Sequence, residues 1–406
     1  MGLSLVTSSF RKWNNMRLFS STKDNKFNKI VNIMGLKFKF KDKNKYYYSK
    51  IKKLIAAYYE EIKEQQIKED EKQNIQSNML SELSTLVNEI YQINSVAQKF
   101  YQNSFEQSFL KPFIQYMKHP DFNEKYLKLI SNLPEEDVFT INNIIRRIQI
   151  VTAYPNNAKI NIYNTEEQKQ RKNLFDNFFN KILKVNDELY VYGKYKLPVN
   201  HFEPCVFYYK HGMETLKNTD RIRQQNIIDA GGFIGDSALV LSSYTEKKIY
   251  SFEAIPANLQ KMQKTIELNS LSNVIPVNKA LYSKKTELEF NICDSASSSV
   301  KLEAIPEGEK VKVQAITLDE FVKEHNLDVG LIKVDLEGAE QEFLQGALNT
   351  IKEQKPTLLF SIYHKPEDFF EIKPILESLN LGYKFRIYNP VDLAFEIETL
   401  LIAEIY

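Results

Sequence analysis

The amino-acid sequence predicts an α/β fold: a doubly wound, mainly parallel sheet in the second half of the chain, preceded by a mainly helical region. Three observations point to it. From about residue 186 onward, short apolar runs alternate with stretches of helical periodicity, the pattern of strand–helix–strand units with right-handed crossovers. The stretch "NIIDAGGFIGDSALVLS" (residues 226–242) joins an apolar run to a helical one through a turn with three glycines, as nucleotide-type cofactor sites do at the carboxyl edge of such sheets. Acids gather at the ends of later runs, most densely in "LIKVDLEGAE" (residues 331–340).

Composition sets the limits. With 406 residues, 43% of them hydrophobic, the chain can bury a sizeable core and exceeds one typical domain. A net charge of +2 gives no whole-protein attraction to nucleic acid, and none is expected as a partner. Cys205 and Cys293 lie far apart and outside any CxxC spacing, which argues against a disulfide framework or structural zinc and for a reducing compartment. No apolar run long enough to span a membrane occurs, and the N-terminus lacks the apolar stretch of a secretory signal. A cytoplasmic protein is expected.

Residues 1–50 read as a basic arm, with ten lysines and one acid, Asp42, between Lys26 and Lys53. Solvation explains such a charge run most simply; its interleaved aromatics also make an anionic membrane surface a candidate partner, with peripheral localisation at the inner face. Residues 51–160 read as a helical region of unknown role. Ile51, Leu54, Ile55, Tyr58, Tyr59 and Ile62 recur at helical spacing, as do Leu83, Leu86, Ile90, Ile93, Ala97 and Phe100. That pattern suits a helix pair or short coiled coil through which copies could form a homo-oligomer. A further helix opens at "LPEEDVFTINNIIRRIQIV", with Pro134 near its start and acids in its first turn.

Residues 161–406 hold the sheet. The expected strands are, in order, "ELYVYGKYKLP", "PCVFYYKHG", "NIIDAGG", "KIYSFEAI" and "VIPVNKAL", with helices "DSALVLSSY" and "ANLQKMQKTIELNSL" between the last three. "TELEFNIC" and "KVKVQAITLDEF" form a hairpin insertion around the serine-rich "DSASSSV". "VGLIKVDLEG" and "TLLFSIYH" then alternate with the helices "AEQEFLQGALNTIKEQ" and "PEDFFEIKPILESLN". "YKFRIYNP" and "ETLLIAEIY" close the chain with no helix between them, so they should pair antiparallel.

The glycine turn discriminates between cofactors. The dinucleotide fingerprint G-x-G-x-x-G falls on Ala230, Gly232 and Gly235, so its first glycine is missing. The pattern acid-x-Gly-x-Gly-x-Gly falls on Asp229, Gly231, Phe233 and Gly235, with only its middle glycine replaced. An acid at this strand end attracts the ammonium of S-adenosylmethionine and is unwelcome beside a pyrophosphate, while the glycines let backbone approach a ligand. Glu253, ending the second parallel strand, can accept both ribose hydroxyl hydrogens of either cofactor. Asp335 and Glu337 lie at the carboxyl end of the fourth parallel strand, where ligands bind; Glu340 is better placed to complement a helix dipole.

Together these residues resemble the FkbM family of S-adenosylmethionine-dependent methyltransferases. "DAGGFIG", "FEAIPAN" (252–258), "NKAL" (278–281), "TLDEF" (317–321) and "KVDLEGAE" (333–340) match that family's motifs in order and spacing across roughly residues 203–406. Two positions depart from it: Phe233, where commoner members have Asn, and Ser361, where many have Glu. The resemblance implies a class I methyltransferase, Rossmann-like, seven-stranded sheet and O-methylation as the usual reaction. It also implies S-adenosylmethionine held by Asp229, Gly231, Gly232, Gly235, Asp236, Ser237, Glu253, Ala254, Asn278 and Ala280. Many such genes belong to bacterial surface-polysaccharide loci, and the leader "IVNIMGLKFKFK" is similar to leaders of bacterial glycan-building enzymes. The expected acceptor is therefore a sugar hydroxyl of a surface glycan or of its nucleotide-sugar or lipid-linked precursor.

Methyl transfer to a hydroxyl needs alignment and a base. His211, in "FYYKHG", and His364, at the end of the fifth parallel strand, are candidates, with Asp335 and Glu337 beside them. A divalent metal bridging Asp335 and His364 lacks further nameable ligands, so no metal is expected. Two other readings compete: a nicotinamide-dependent oxidoreductase, which the missing glycine and Asp229 count against, and a catalytically degenerate fold serving as a scaffold.

Overall fold

In a computed structural model of the chain, residues 19–23, 28–33, 36–41, 53, 107–153, 162–293, 297–300, 309–392, 395 and 398–406 are described. Two compact units form, Met1–Gln98 and Lys99–Tyr406. The first contains an antiparallel meander, β1 (Phe19–Lys23), β2 (Asn28–Ile33) and β3 (Leu36–Lys41), whose register pairs Phe19 with Ile33 and Asn28 with Lys41. These strands lie in the segment expected to be an arm; its alternation of lysine with apolar residues also has the two-residue period of a strand. The helical repeats at 51–62 and 83–100 lie outside the described residues.

The second unit begins with helices α1 (Gln107–Met117), α2 (Phe122–Ile130), α3 (Glu135–Ala153) and α4 (Thr165–Asn177). Helix α3 starts as expected, with Glu135, Glu136 and Asp137 in a first turn whose dipole favours acids. Asn164 and Glu167 close a capping box on α4, and Glu167 also pairs with the buried Arg147 of α3 at 2.7 Å. The compact unit Lys99–Tyr406 runs across the expected boundary near residue 160. Leu110, Phe113, Leu129 and Ile141 share one core with Ile332, Leu358 and Leu401 of the sheet. Burial of their apolar faces in that core makes these helices part of the sheet's unit.

Strands β4 (Leu183–Asn186), β5 (Leu189–Tyr192) and β6 (Tyr195–Leu197) make a small antiparallel sheet; the single strand expected at "ELYVYGKYKLP" is a hairpin. The strand expected at "PCVFYYKHG" is a helix, α5 (Pro204–Phe207), followed by a 3₁₀ segment at Lys210–Thr215. Pro204 sits in its first turn, and Cys205, Val206 and Phe207 are all buried, so nothing holds them in the alternating exposure of a surface strand.

After α6 (Asp220–Arg223) come β7 (Asn226–Ala230), α7 (Asp236–Leu241), β8 (Ile249–Phe252), α8 (Pro256–Leu268), β9 (Val274–Val277) and β10 (Ala280–Leu281). The insertion supplies β11 (Thr286–Cys293), β12 (Ser297–Val300) and β13 (Glu309–Ile316). The unit finishes with α9 (Leu318–Glu324), β14 (Val329–Val334), α10 (Glu340–Gly346), α11 (Leu348–Gln354), β15 (Thr357–Ser361), α12 (Pro366–Ser378), β16 (Lys384–Tyr388) and β17 (Leu400–Glu404). Seven strands form the main sheet in the order β16-β17-β15-β14-β7-β8-β9. All pairs among β15, β14, β7, β8 and β9 are parallel, and β17 runs antiparallel between β15 and β16, as the two closing runs predicted. The insertion forms a second sheet, β10-β13-β11-β12.

Strand order fixes the location of the site. The chain moves outward from β7 through β8 to β9, then returns to β14 on β7's other side. The carboxyl ends of β7 and β14 thus open a crevice at the switch point, the usual ligand position in such sheets. A hydrogen bond from Asp335 N to Ala230 O, 3.0 Å, ties the two strand ends together.

Candidate functional site

Backbone geometry at the end of β7 is set by glycine. Gly231 has φ 82°, and a Cβ there would stand 1.8 Å from Asp335 O, so no other residue fits. Gly231 N and Gly232 N both donate to Phe252 O, at 3.2 and 2.8 Å, which clamps the turn to the end of β8. Gly235, φ 83°, leads into α7. Between them Phe233 takes φ 43°, an uncommon value for a bulky residue. Its ring borders the cavity and meets His201 edge-on at 4.9 Å, whereas Ile234 is fully buried.

The turn opens onto a cavity whose wall includes Gly231, Asp236, Ser237, Glu253, Ala254 and Ala280 of the expected cofactor residues. Of the expected catalytic residues, His211, Asp335 and Glu337 also border it. Leu288 and Phe290 of the inserted sheet supply an apolar side.

Four expected cofactor residues and His364 are not on that wall. Asp229 is fully buried; it accepts hydrogen bonds from Ser237 Oγ (2.9 Å) and Ser251 Oγ (2.6 Å) and pairs with Lys333 Nζ at 3.2 Å. The carboxylate expected to face a ligand ammonium is taken up inside the protein, because a lysine in the neighbouring strand needs a counter-ion. Gly232 and Gly235 shape the turn, and Asn278 Nδ2 donates to Glu253 O and Ala254 O, at 2.9 and 3.1 Å, fixing the loop after β8. His364 lies behind Asp335 and Glu337. Its Nδ1 meets Glu340 Oε1 at 2.8 Å, and its Nε2 stands 3.4 Å from Asp335 Oδ1 and 3.7 Å from Glu337 Oε2.

Charges at the site are strongly shifted. Burial pushes the Glu253 carboxyl up to about 7, against the pull of the Ile255 and Phe233 amides and the Asn258 side chain. Burial, reinforced by the positive Lys333, lowers His211 to about 3. Neither ring nitrogen of His211 has a hydrogen-bond partner and both are buried, so the imidazole lies neutral within the cavity wall. Burial lowers Lys333, yet Asp229, Asp335 and Asp236 outweigh it and keep the ammonium charged. For His364, burial is likewise outweighed by Glu340, Asp335 and Glu337, which raise it to about 10.

Three cavity residues carry chemistry that sequence reasoning did not single out. Lys333 had a signal, a lone charge inside the otherwise apolar run "VGLIKV", and its Nζ donates to Gly231 O at 2.6 Å. His201 and Glu203 pair at 3.1 Å on the wall beside Phe233 and Asp236; they lie ahead of the sheet in no recognisable spacing, and only folding brings them there.

Residues 229–385 match the profile of the methyltransferase FkbM domain. The chain carries an FkbM methyltransferase domain. Over 188 residues it is 29% identical to Methyltransferase 1 of Beauveria bassiana, covering 40% of this chain and 74% of that protein. Among solved structures it is similar to the methyltransferase FkbM from Methylobacillus flagellatus, at 16% identity and a TM-score of 0.45, covering 70% of this chain and 58% of that one. This chain thus spans a little over half the length of that structure. It is also similar to the fibrillarin of Aeropyrum pernix with natively bound S-adenosylmethionine, at 11% identity and a TM-score of 0.29, covering 47% of this chain and 71% of that one. The matched methyltransferase segment runs from the end of β7 into β16. His201, Glu203 and His211, which complete the cavity wall, lie outside it. Among the described residues, no helix is long and apolar enough to cross a membrane.

Proposed function

We propose that this protein transfers the methyl group of S-adenosylmethionine to a sugar hydroxyl of a glycan or glycan precursor. One observation carries the choice of cofactor: the cavity at the β7–β14 switch point is lined by five carboxylates, Glu203, Asp236, Glu253, Asp335 and Glu337, against three cationic residues, Lys279, Lys333, which is paired with Asp229, and His201, which is paired with Glu203. That surplus of carboxylates suits a sulfonium and an ammonium and disfavours a pyrophosphate, which counts against a nicotinamide cofactor. Glu253, ending β8, is positioned for the ribose hydroxyls, and the Gly231 turn for the methionine end.

The acceptor oxygen attacks the methyl carbon in line with the sulfur. A carbon–oxygen bond forms, the carbon–sulfur bond breaks, and its electron pair stays on sulfur, leaving S-adenosylhomocysteine. A carboxylate of the cavity wall, Asp335 or Glu337, receives the hydroxyl proton; His211, lowered to about 3, is too weak a base near neutral pH. His364 is less suited to that role, because its ring is enclosed by three carboxylates. Titration of the purified protein with S-adenosylmethionine and with NAD(H) tests the cofactor; preference for NAD(H) overturns the proposal. Incubation with methyl-labelled cofactor and nucleotide-linked or lipid-linked sugars, read by mass, tests the acceptor. The ten lysines between residues 26 and 53 support placing this reaction at an anionic membrane surface. Co-sedimentation with anionic but not neutral vesicles is the expected result.

A further inference from the structure

We infer that Asp335, Glu337 and His364 form a binding site for one divalent metal ion at the edge of the cavity beyond the end of β14. Each of the three presents a ligand atom within 4.8 Å of those of the other two. Two atoms held about 2.1 Å from one ion stand about 3.0 Å apart at a right angle and about 3.4 Å apart at a tetrahedral angle. The separations of 3.4 and 3.7 Å from His364 Nε2 to the two carboxylates are near that spacing and too long for good hydrogen bonds.

The histidine is the second, independent observation. Its side chain is 6% exposed, and Nε2 has no hydrogen-bond partner although it points at the two carboxylates. Its other nitrogen is fixed by the buried Glu340 at 2.8 Å, the outer carboxylate that orients a metal-ligating imidazole. Glu340 is itself anchored, accepting from Leu336 N at 2.8 Å. Glu337 takes φ 52° and Gly338 φ 96°, a conformation costly for a glutamate and of the kind found at functional sites. Lys365 Nζ donates to Gly338 O and pins that turn. The neighbouring group His201, Glu203 and Asp236 also has ligand-like spacing, but there His201 Nε2 already pairs with Glu203 at 3.1 Å.

One imidazole and two carboxylates, with remaining positions open to the cavity through Asp335 and Glu337, suit a borderline-to-hard ion such as Mn2+. A ligating imidazole is neutral, with the ion in place of a proton on Nε2. Bound there, it would polarise an acceptor oxygen; this use rests on the methyl-transfer reading, whereas the binding itself does not.

The test is titration of the purified full-length protein with Mn2+ alone, followed by calorimetry and by the paramagnetic resonance of free Mn2+. One ion per chain is expected. Glu337→Gln, whose side chain is half exposed and carries little folding risk, should weaken binding at least about tenfold, and Glu340→Gln by about 10–100-fold as an outer-carboxylate loss. Glu246→Gln, on an exposed side chain ahead of β8 and paired with Arg223, should leave it unchanged. No binding of Mn2+, Mg2+ or Zn2+, or binding that survives Glu337→Gln or is lost in Glu246→Gln, overturns the site. Cofactor binding without metal binding faults this inference alone; metal binding without cofactor binding faults the methyl-transfer reading alone.

Discussion

Glu253 and His211 show how much of the chemistry rests on single buried side chains. Glu253 rises to about 7 in the cavity from an ordinary 4.5, so the folded protein keeps its proton where the unfolded chain has lost it. Stability from this group is therefore present below 4.5 and is lost as pH rises towards 7. Ribose hydroxyls need the ionised form, so S-adenosylmethionine affinity should fall, by up to about tenfold per unit, as pH drops below 7. Glu253→Ala should weaken cofactor binding well beyond tenfold and abolish that pH dependence, both read by calorimetry. The sign reverses at His211, which falls from 6.5 to about 3. The unfolded chain takes up this proton first, so stability drains away as pH falls from 6.5 towards 3. His211→Gln should flatten the pH dependence of the urea midpoint over that window.

Strand β14 and the loop after it bear most of the site. Lys333 enters a fully apolar strand because Asp229, in register beside it on β7, supplies the opposite charge. Lys333→Met should leave Asp229 buried without its partner and cost about 3–5 kcal/mol in urea unfolding; Asp229→Asn in the same chain should recover much of the loss. Elsewhere a motif proves structural. In "TLDEF", Thr317 caps α9 by accepting from Glu320 N at 3.1 Å, and Asp319 accepts from the Asn349 and Thr350 amides at the start of α11, at 3.0 and 2.8 Å. The stretch "PCVFYYKHG" was legible as apolar but not as helical: a run buried on every side has no amphipathic period to read.

At the scale of the molecule, the unit Lys99–Tyr406 contains the seven-stranded sheet, its covering helices and the whole cavity. A chain reduced to residues 99–406 should therefore unfold in one cooperative transition and keep its S-adenosylmethionine affinity, as calorimetry can check. The helices α1 and α2 belong in that piece. Tyr116 stacks on Phe370 at 5.1 Å, Phe122 meets the same ring edge-on at 5.3 Å, and the buried Lys373 reaches Ser131 O. Truncation at residue 160 should expose that face of α12 and cause aggregation.

From residue 226 onward the sequence by itself determined the order of strands and helices, the antiparallel close and the glycine turn, because each is written in local periodicity or in a backbone conformation open to glycine alone. It also placed Glu253, Asp335 and Glu337 at the ligand edge, since strand ends follow directly from where apolar runs stop. Only the tertiary structure decided which acids face the cavity. Asp229 turned inward to meet Lys333, His364 was enclosed by Glu340, Asp335 and Glu337, and His201 and Glu203 arrived from a segment ahead of the sheet. A charge's partner is set by distance in space, and no spacing along the chain encodes that distance until the strands have paired.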